Sequence, residues 1–171
     1  MDVDYAGCKI TRRSTSGWCA FLGNNLFVWG SKKQTVDARS VEETEHWAVA
    51  QGLIEIVWLK SLFHDLGFSC SNTPILWCDN LAANSISENP IFHSRTKHIE
   101  IDVHFVRENV EYGAVEIRYV PTMYQVADIF TKGLPKDRFL FLCSKLGLKM
   151  TPVYQLLPVA EAALQNTSRR S

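Results

Sequence analysis

Four acidic residues in this sequence fall where a mixed α/β fold presents side chains to a ligand. Asp79 directly follows a short apolar run, and ligands in such folds bind at the carboxyl ends of strands. Asp2 stands where a first strand would end, while Glu45 and Asp128 lie early in helical patterns. Oxygen ligands suit a hard cation such as Mg²⁺ or Mn²⁺, and two such ions about 4 Å apart can hold the reacting oxygens of a phosphodiester. The pattern predicts a metal-binding acidic cluster; its alternative is that these acids only cap helices.

The composition is typical of one soluble globular domain. The chain has 171 residues, 46% of them hydrophobic and 21% charged, which is enough for a sizeable buried core. It contains no apolar run of about eighteen residues that would cross a membrane, and no basic leader followed by an apolar stretch. We therefore expect an intracellular protein that is neither secreted nor bound to a membrane.

Basic side chains equal the acidic ones in number but are grouped locally. With 18 of each, the net charge is zero, which gives no general sign of a nucleic-acid partner. Such groups are usually solvated surface, unless the fold gathers them along one groove. The basic group nearest the carboxyl end consists of Lys132, Lys136 and Arg138. The candidate contacts to nucleic-acid phosphates are Arg12, Arg13, Lys32, Lys33, Arg95, Lys97, His98 and Lys132.

The first half of the chain predicts a hairpin and a long helix. Residues 12–17 are polar and predict a loop, and the apolar runs 18–22 and 26–29 flank a Gly-Asn-Asn turn that is typical of a β-hairpin. Ser40 can cap the next helix, whose apolar residues recur at spacings of three and four until Gly67 stops it. This helix would carry one of the four acids in its first turns.

The second half alternates strands with helices. We predict strands at 75–79 and 115–120, and helices at 80–87, 97–112 and 137–146. This alternation favours an α/β fold. Side chains expected in the core include Ile101, Phe105 and Val106 of the middle helix, and the rings of Trp29 and Trp77.

The two ends of the chain depart from this pattern. Only one residue precedes Asp2, whereas a typical strand has about five or six, so the first strand looks truncated and Asp2 is expected at a frayed terminus. Residues 149–171 have no pattern that would pack on the domain. We therefore expect a domain over residues 1–148 and a poorly ordered tail over residues 149–171.

The strongest signal is a set of short motifs in one order along the chain. The motifs DVDYAG, RRSTSG, SKKQ, ETE, WCDN, NPIFHSRTKHIEI, YVPT and ADIFTK lie at residues 2–7, 12–17, 31–34, 43–45, 77–80, 89–101, 119–122 and 127–132. Together they resemble the ribonuclease H domain at the carboxyl end of copia-type retrotransposon Pol polyproteins. The resemblance covers residues 2 to about 148.

This resemblance implies a fold, a reaction and a set of ligands. The fold would be a ribonuclease H-like mixed sheet of five strands flanked by helices, with the truncated first strand at its centre. The reaction would be cleavage of the RNA strand of RNA/DNA hybrids, with water activated by two Mg²⁺ or Mn²⁺ ions. Carried over position by position, the catalytic metal ligands would be Asp2, Glu45, Asp79 and Asp128. Two of these assignments have an alternative: Asp4 could replace Asp2, and Glu43 could replace Glu45.

The resemblance also implies partners and a location. The partners would be an RNA/DNA hybrid and an upstream reverse transcriptase domain. The location would be either the cytoplasm, within a virus-like particle, or the nucleus. Three departures from the family leave an alternative open: the truncated first strand, the stretch 41–47 that differs from the family's small-residue-rich motif, and the tail without a counterpart. That alternative is a catalytically inactive retroelement relic that only binds nucleic acid or packs against a reverse transcriptase domain. Residues 121–125 also lack the histidine of many cellular ribonucleases H, so proton transfer to the leaving group would fall to water.

Overall fold

The computed structural model describes residues 1–35, 40–69, 71–80 and 97–148. The helix predicted at 80–87 and the tail 149–171 lie outside these residues. The fold is mixed α/β, as the sequence predicts. In chain order its elements are β1 (Asp2–Asp4), β2 (Thr15–Leu22), β3 (Asn25–Lys33), α1 (Val41–Asp65), β4 (Ile75–Cys78), α2 (Lys97–Glu111), β5 (Glu116–Tyr119) and α3 (Lys136–Lys145), with 3₁₀ turns at Thr122–Tyr124 and Val126–Phe130.

The first three strands form an antiparallel sheet in the order β1-β2-β3. The predicted hairpin is confirmed, and its turn uses Gly23 at a positive φ of 62°. The loop predicted for residues 12–17 is wrong in its second half, because residues 15–17 pair with both β1 and β3. Their polarity is misleading because Ser16 is buried, and its hydroxyl accepts a 3.0 Å hydrogen bond from the amide of Gln34.

The last two strands, β4 and β5, form a separate parallel sheet. The ammonium group of Met1 donates to the carbonyl of Trp77 at 3.2 Å, so the start of β1 lies beside β4. The described strands therefore divide into three and two, instead of forming the single sheet that the resemblance implies. Strand β1 has only three residues, yet the expected frayed position of Asp2 is wrong, because Asp2 is 7% exposed.

Helix α1 packs its apolar face on both sheets. Ser40 caps it as predicted, since its hydroxyl accepts from the amide of Glu43 at 3.1 Å. Val49 and Leu53 are fully buried in the core, each stabilising the fold by about 2 kcal/mol. A Cβ on Gly52 would lie 3.1 Å from Leu76 of β4, so the helix and the strand are in close contact.

Some side chains predicted to be in the core lie at the surface instead. On α2 the buried positions are Val103 and Val106, and Ile101 is 66% exposed because it falls off the face that these two define. Trp29 and Trp77 are 59% and 45% exposed. Each points away from the core face of its strand, and the guanidinium of Arg118 lies 5.9 Å from the ring centre of Trp77.

The described helices include none that is long and apolar enough to span a membrane.

Candidate metal centre

Asp79 is positioned by the end of β4. The strand pairs in parallel with β5, and the amide of Val120 continues the pairing by donating to the carbonyl of Cys78 at 2.9 Å. Cys78 is buried in the core, so the next residue leaves the sheet at its edge. Asp79 is half-buried there, as expected for an acid that ends a strand.

Asp2 begins β1 and is nearly enclosed. The hydroxyl of Thr131 donates to its Oδ2 at 2.5 Å, and the ammonium of Lys132 lies 3.5 Å from the same oxygen. Burial raises the pKa of Asp2, and although Thr131 and Lys132 work in the opposite direction, the charges of Asp128 and Asp79 add to the increase. Asp2 is therefore a carboxylate that would gain from a further cation.

Asp128 lies in the second 3₁₀ turn and is completely buried. Its Oδ1 lies 2.9 Å from the ammonium of Lys132, and its Oδ2 accepts a hydrogen bond from the guanidinium of Arg138. Partial burial disfavours the charged form of Lys132, but contacts with Asp128 and Asp2 outweigh this effect and raise the pKa of Lys132. Both oxygens of Asp128 thus already face cations of the protein.

The residues from Thr122 to Lys132, here called the Asp128 segment, are fixed to the antiparallel sheet. The buried amide of Gln125 donates to the carbonyl of Met1 at 2.7 Å, and the hydroxyl of Ser31 donates to the carbonyl of Phe130 at 2.6 Å. A Cβ on Gly17 would lie 2.6 Å from Thr131, so only glycine at this position lets the segment approach β2 so closely.

These elements bring three carboxylates to one point. One oxygen from each of Asp2, Asp79 and Asp128 lies within 4.8 Å of the others, which suits a shared cation. The donors are all oxygens, the set that Mg²⁺ and Mn²⁺ prefer. The residues present therefore fit a hard divalent cation.

Glu45 faces the same cleft from the first turns of α1. The cleft has a volume of about 360 Å³, and its described lining includes Asp2, Glu45, Asp79 and Lys132. The alternatives Asp4 and Glu43 do not belong to that lining. Of each pair of alternatives, the residue that faces this cleft is Asp2 and Glu45, respectively.

The predicted phosphate contacts are more scattered. Lys132 lines the cleft that Asp2, Glu45 and Asp79 also line, here called the acidic cleft. Lys32 lines a second cleft of about 370 Å³ between the antiparallel sheet and α1. The ammonium of Lys33 donates to Cys8 Sγ at 2.8 Å and lowers the pKa of that thiol to about 6. Arg12 and Arg13 are exposed. Arg95 and the side chains of Lys97 and His98 lie outside the described residues.

Three residues that the sequence did not single out support the cluster. Gln125 holds the Asp128 segment, Thr131 orients Asp2, and Arg138 pairs with Asp128. Arg138 belongs to a basic group that the sequence displays, and Thr131 to a motif that it displays. No local pattern indicates Gln125, because its partner Met1 is 124 positions away.

The geometry defines a general class of protein, an α/β domain in which two strands and a 3₁₀ turn bring three carboxylates to one point. No family model and no solved structure gives a significant match that would specify the class further.

The chain is similar to retrovirus-related Pol polyproteins of plant transposons. The chain is 41% identical over 151 residues, 88% of its length, to the retrovirus-related Pol polyprotein from transposon RE1 of Arabidopsis thaliana. It is 40% identical over 151 residues to the corresponding polyprotein from transposon RE2 of the same plant. It is also 32% identical over 145 residues, 85% of the chain, to that from transposon TNT 1-94 of Nicotiana tabacum. The chain spans 10–11% of the length of these relatives, so it is similar to one part of a retrotransposon Pol polyprotein.

Proposed function

We propose that this chain is the ribonuclease H domain of a copia-type retrotransposon Pol polyprotein. In this proposal it cleaves the RNA strand of RNA/DNA hybrids with the help of Mg²⁺ or Mn²⁺. The observation that carries the proposal is the meeting of Asp2, Asp79 and Asp128 within 4.8 Å, beside a cleft that Glu45 also lines. The similarity to Pol polyproteins supports the retroelement context.

Each acid has a separate task in this proposal. Asp79 and Glu45 face the cleft and would hold cations where a scissile phosphate can reach them. Asp2 would coordinate a cation through the oxygen that Thr131 orients. Asp128 would be the buried ligand, on the side of the cluster away from the cleft. When bound, two divalent cations would supply the activation of water and the stabilisation of the leaving oxygen.

The chain's own cations complete the arrangement. Arg138 also donates to the carbonyl of Thr122 at 2.7 Å, which ties α3 to the start of the Asp128 segment. Its guanidinium therefore holds Asp128 in one orientation, and such fixed geometry is what a metal site requires. No histidine lies in residues 121–125, so we assign proton transfer to the leaving group to water.

The partners and the location are part of the same proposal. The substrate would be an RNA/DNA hybrid, whose phosphates exposed basic residues such as Arg12 and Arg13 could bind. An upstream reverse transcriptase domain would be the second partner. The protein would act in the cytoplasm, within a virus-like particle, or in the nucleus.

The test is the cleavage of an RNA/DNA hybrid labelled on the RNA strand, with Mg²⁺ or Mn²⁺ present. Asp79→Asn should lower the cleavage rate about a thousandfold, because the loss of one metal ligand removes several kcal/mol of transition-state stabilisation. Asp4→Asn is the matched control, since it removes a carboxylate of β1 that does not line the cleft, and it should stay within about threefold of the wild-type chain.

Two results would contradict the proposal. One is a wild-type chain that binds the hybrid but never cuts it with either cation. The other is an Asp79→Asn variant that retains full activity. Duplex DNA should remain uncut by every variant.

One observation favours a second candidate, an inactive domain that binds nucleic acid or packs against a reverse transcriptase domain. Lys132 and Arg138 already balance the charge of Asp128, so part of the cluster is stable without a metal. This candidate predicts that Mg²⁺ and Mn²⁺ leave both the melting temperature and the hybrid affinity unchanged.

A further inference from the structure

Lys132 contacts oxygens of two different acids of the cluster. Its ammonium lies 2.9 Å from Asp128 Oδ1 and 3.5 Å from Asp2 Oδ2. Lys132 lines the acidic cleft, whereas Asp128 is buried and does not line it. A cation that approached Asp128 from the cleft would therefore meet the ammonium group first.

The second cation of the site, Arg138, is held differently. It bonds to Asp128 and also to the carbonyl of Thr122, so its guanidinium is fixed at two points. Lys132 has a flexible four-carbon stem and a side chain that is 33% exposed, and its described ion pairs involve only Asp2 and Asp128. The ammonium can thus leave the carboxylates and still reach solvent in the cleft.

We propose that Lys132 is an internal counter-ion that competes with divalent cations for the oxygens of Asp2 and Asp128. This inference rests on the proposed function, because it assumes that the cluster binds metal. One positive charge holds the two buried carboxylates together, and a divalent cation that takes the same oxygens must displace it into the cleft. Lys132 therefore stabilises the metal-free protein and weakens its affinity for metal.

The inference predicts opposite signs for two measurements on Lys132→Gln. Without metal, the melting temperature should fall because the carboxylates repel one another. Mn²⁺ should bind roughly tenfold more tightly, because one fewer positive charge lies within a few ångströms of the ion. Isothermal titration of the EDTA-treated protein with Mn²⁺, at fixed ionic strength and without nucleic acid, measures this affinity independently of any cleavage.

A matched control removes the same charge elsewhere. Lys136→Gln changes an exposed lysine of α3 that has no described ion pair, so it should alter the Mn²⁺ affinity by less than about twofold.

The outcomes separate the inference from the proposed function. If the wild-type chain binds no Mn²⁺, both fail. If it binds Mn²⁺ and Lys132→Gln binds equally or less tightly, only the competition is overturned. If Lys132→Gln does not fold, Lys132→Arg decides, because a guanidinium pairs more strongly with carboxylates and should weaken Mn²⁺ binding. Unchanged or tighter binding by that variant would refute the competition.

Discussion

Asp128 and Asp79 belong to the same cluster but lie in opposite surroundings. Asp128 is completely buried, and both of its oxygens face cations of the protein. Asp79 is half-buried at a strand end, lines the cleft and has no ion pair among the described residues. Two identical side chains therefore differ in what balances their charge.

This difference separates stability from function within one site. Removing a buried charge leaves its partners without compensation, which destabilises a fold strongly. Removing a charge that has no protein partner costs the fold little, but it removes attraction for an external cation. Asp128 should thus contribute mainly to stability and Asp79 mainly to metal binding and catalysis.

The largest expected effect on stability comes from Asp128→Asn. It should lower the free energy of unfolding by about 2–3 kcal/mol, because Lys132 and Arg138 lose their shared partner. We place it below the value for a fully buried ion pair because these cations are 33% and 30% exposed. Urea denaturation in EDTA measures the difference.

Asp79→Asn is the companion variant in that experiment. Its free energy of unfolding in EDTA should stay within about 0.5 kcal/mol of the wild-type value. Equal losses for the two variants would refute the division between a stabilising and a functional acid.

A smaller effect is expected where the Asp128 segment contacts β2. A Cβ on Gly17 would lie 2.6 Å from Thr131 Cγ2 and 2.9 Å from Phe130 Cβ, so Gly17→Ala should displace the segment and cost about 1–2 kcal/mol. Asp128 should move away from Asp79, and the stabilisation by Mn²⁺ should shrink. Thermal melts with and without Mn²⁺ measure both effects.

Gly133→Ala is the matched control for this contact. A Cβ on Gly133 would have no atom within 4 Å, so the substitution should leave stability and metal response unchanged. A destabilisation as large as that of Gly17→Ala would mean that the close approach to β2 is not the cause.

The smallest expected effect is a gain in stability from Asp2→Asn. Because the pKa of Asp2 is raised above its ordinary value of 3.8, the folded state binds more protons than the unfolded state between pH 3.8 and the raised pKa. The stability therefore falls as the pH rises from 3.8 to that raised pKa. The variant lacks this penalty and should melt about 2–4 °C higher than the wild-type chain in EDTA at neutral pH. Asparagine can still accept the hydrogen bond from Thr131.

Melting temperatures between pH 4 and 7 test this prediction. The advantage of Asp2→Asn should grow with pH and should be reversed by Mn²⁺, which stabilises only the wild-type carboxylate. A constant difference across the pH range would show that the charge of Asp2 is not responsible.

The sequence predicted the features that depend on neighbouring residues. The cap at Ser40, the hairpin around Gly23 and the end of β4 before Asp79 all follow from short patterns of polarity and turn residues. The wrong predictions depend on distant contacts. Ser16 is polar yet buried between two strands, and Trp77 is apolar yet faces outward on a strand whose alternate residues form the core.

The same distinction applies to the candidate site. Asp79 is evident from its own strand, but the tie between Thr131 and Asp2 joins residues that are 129 positions apart. Lys132 illustrates the limit most clearly. Its sequence context predicts a contact to phosphate, which stays a prediction, but it does not indicate that the ammonium lies beside two acids of its own chain.

The bonds that hold the Asp128 segment have a consequence for how the site is lost. Gln125 of the segment bonds to Met1, Thr131 of the segment bonds to Asp2, and Ser31 of β3 bonds to the segment. Local opening of either the sheet edge or the segment would break contacts of both, so the two behave as one cooperative unit. Asp2 and Asp128, two of the three clustered acids, therefore assemble and disperse together, and loss of either the sheet edge or the segment leaves Asp79 without both.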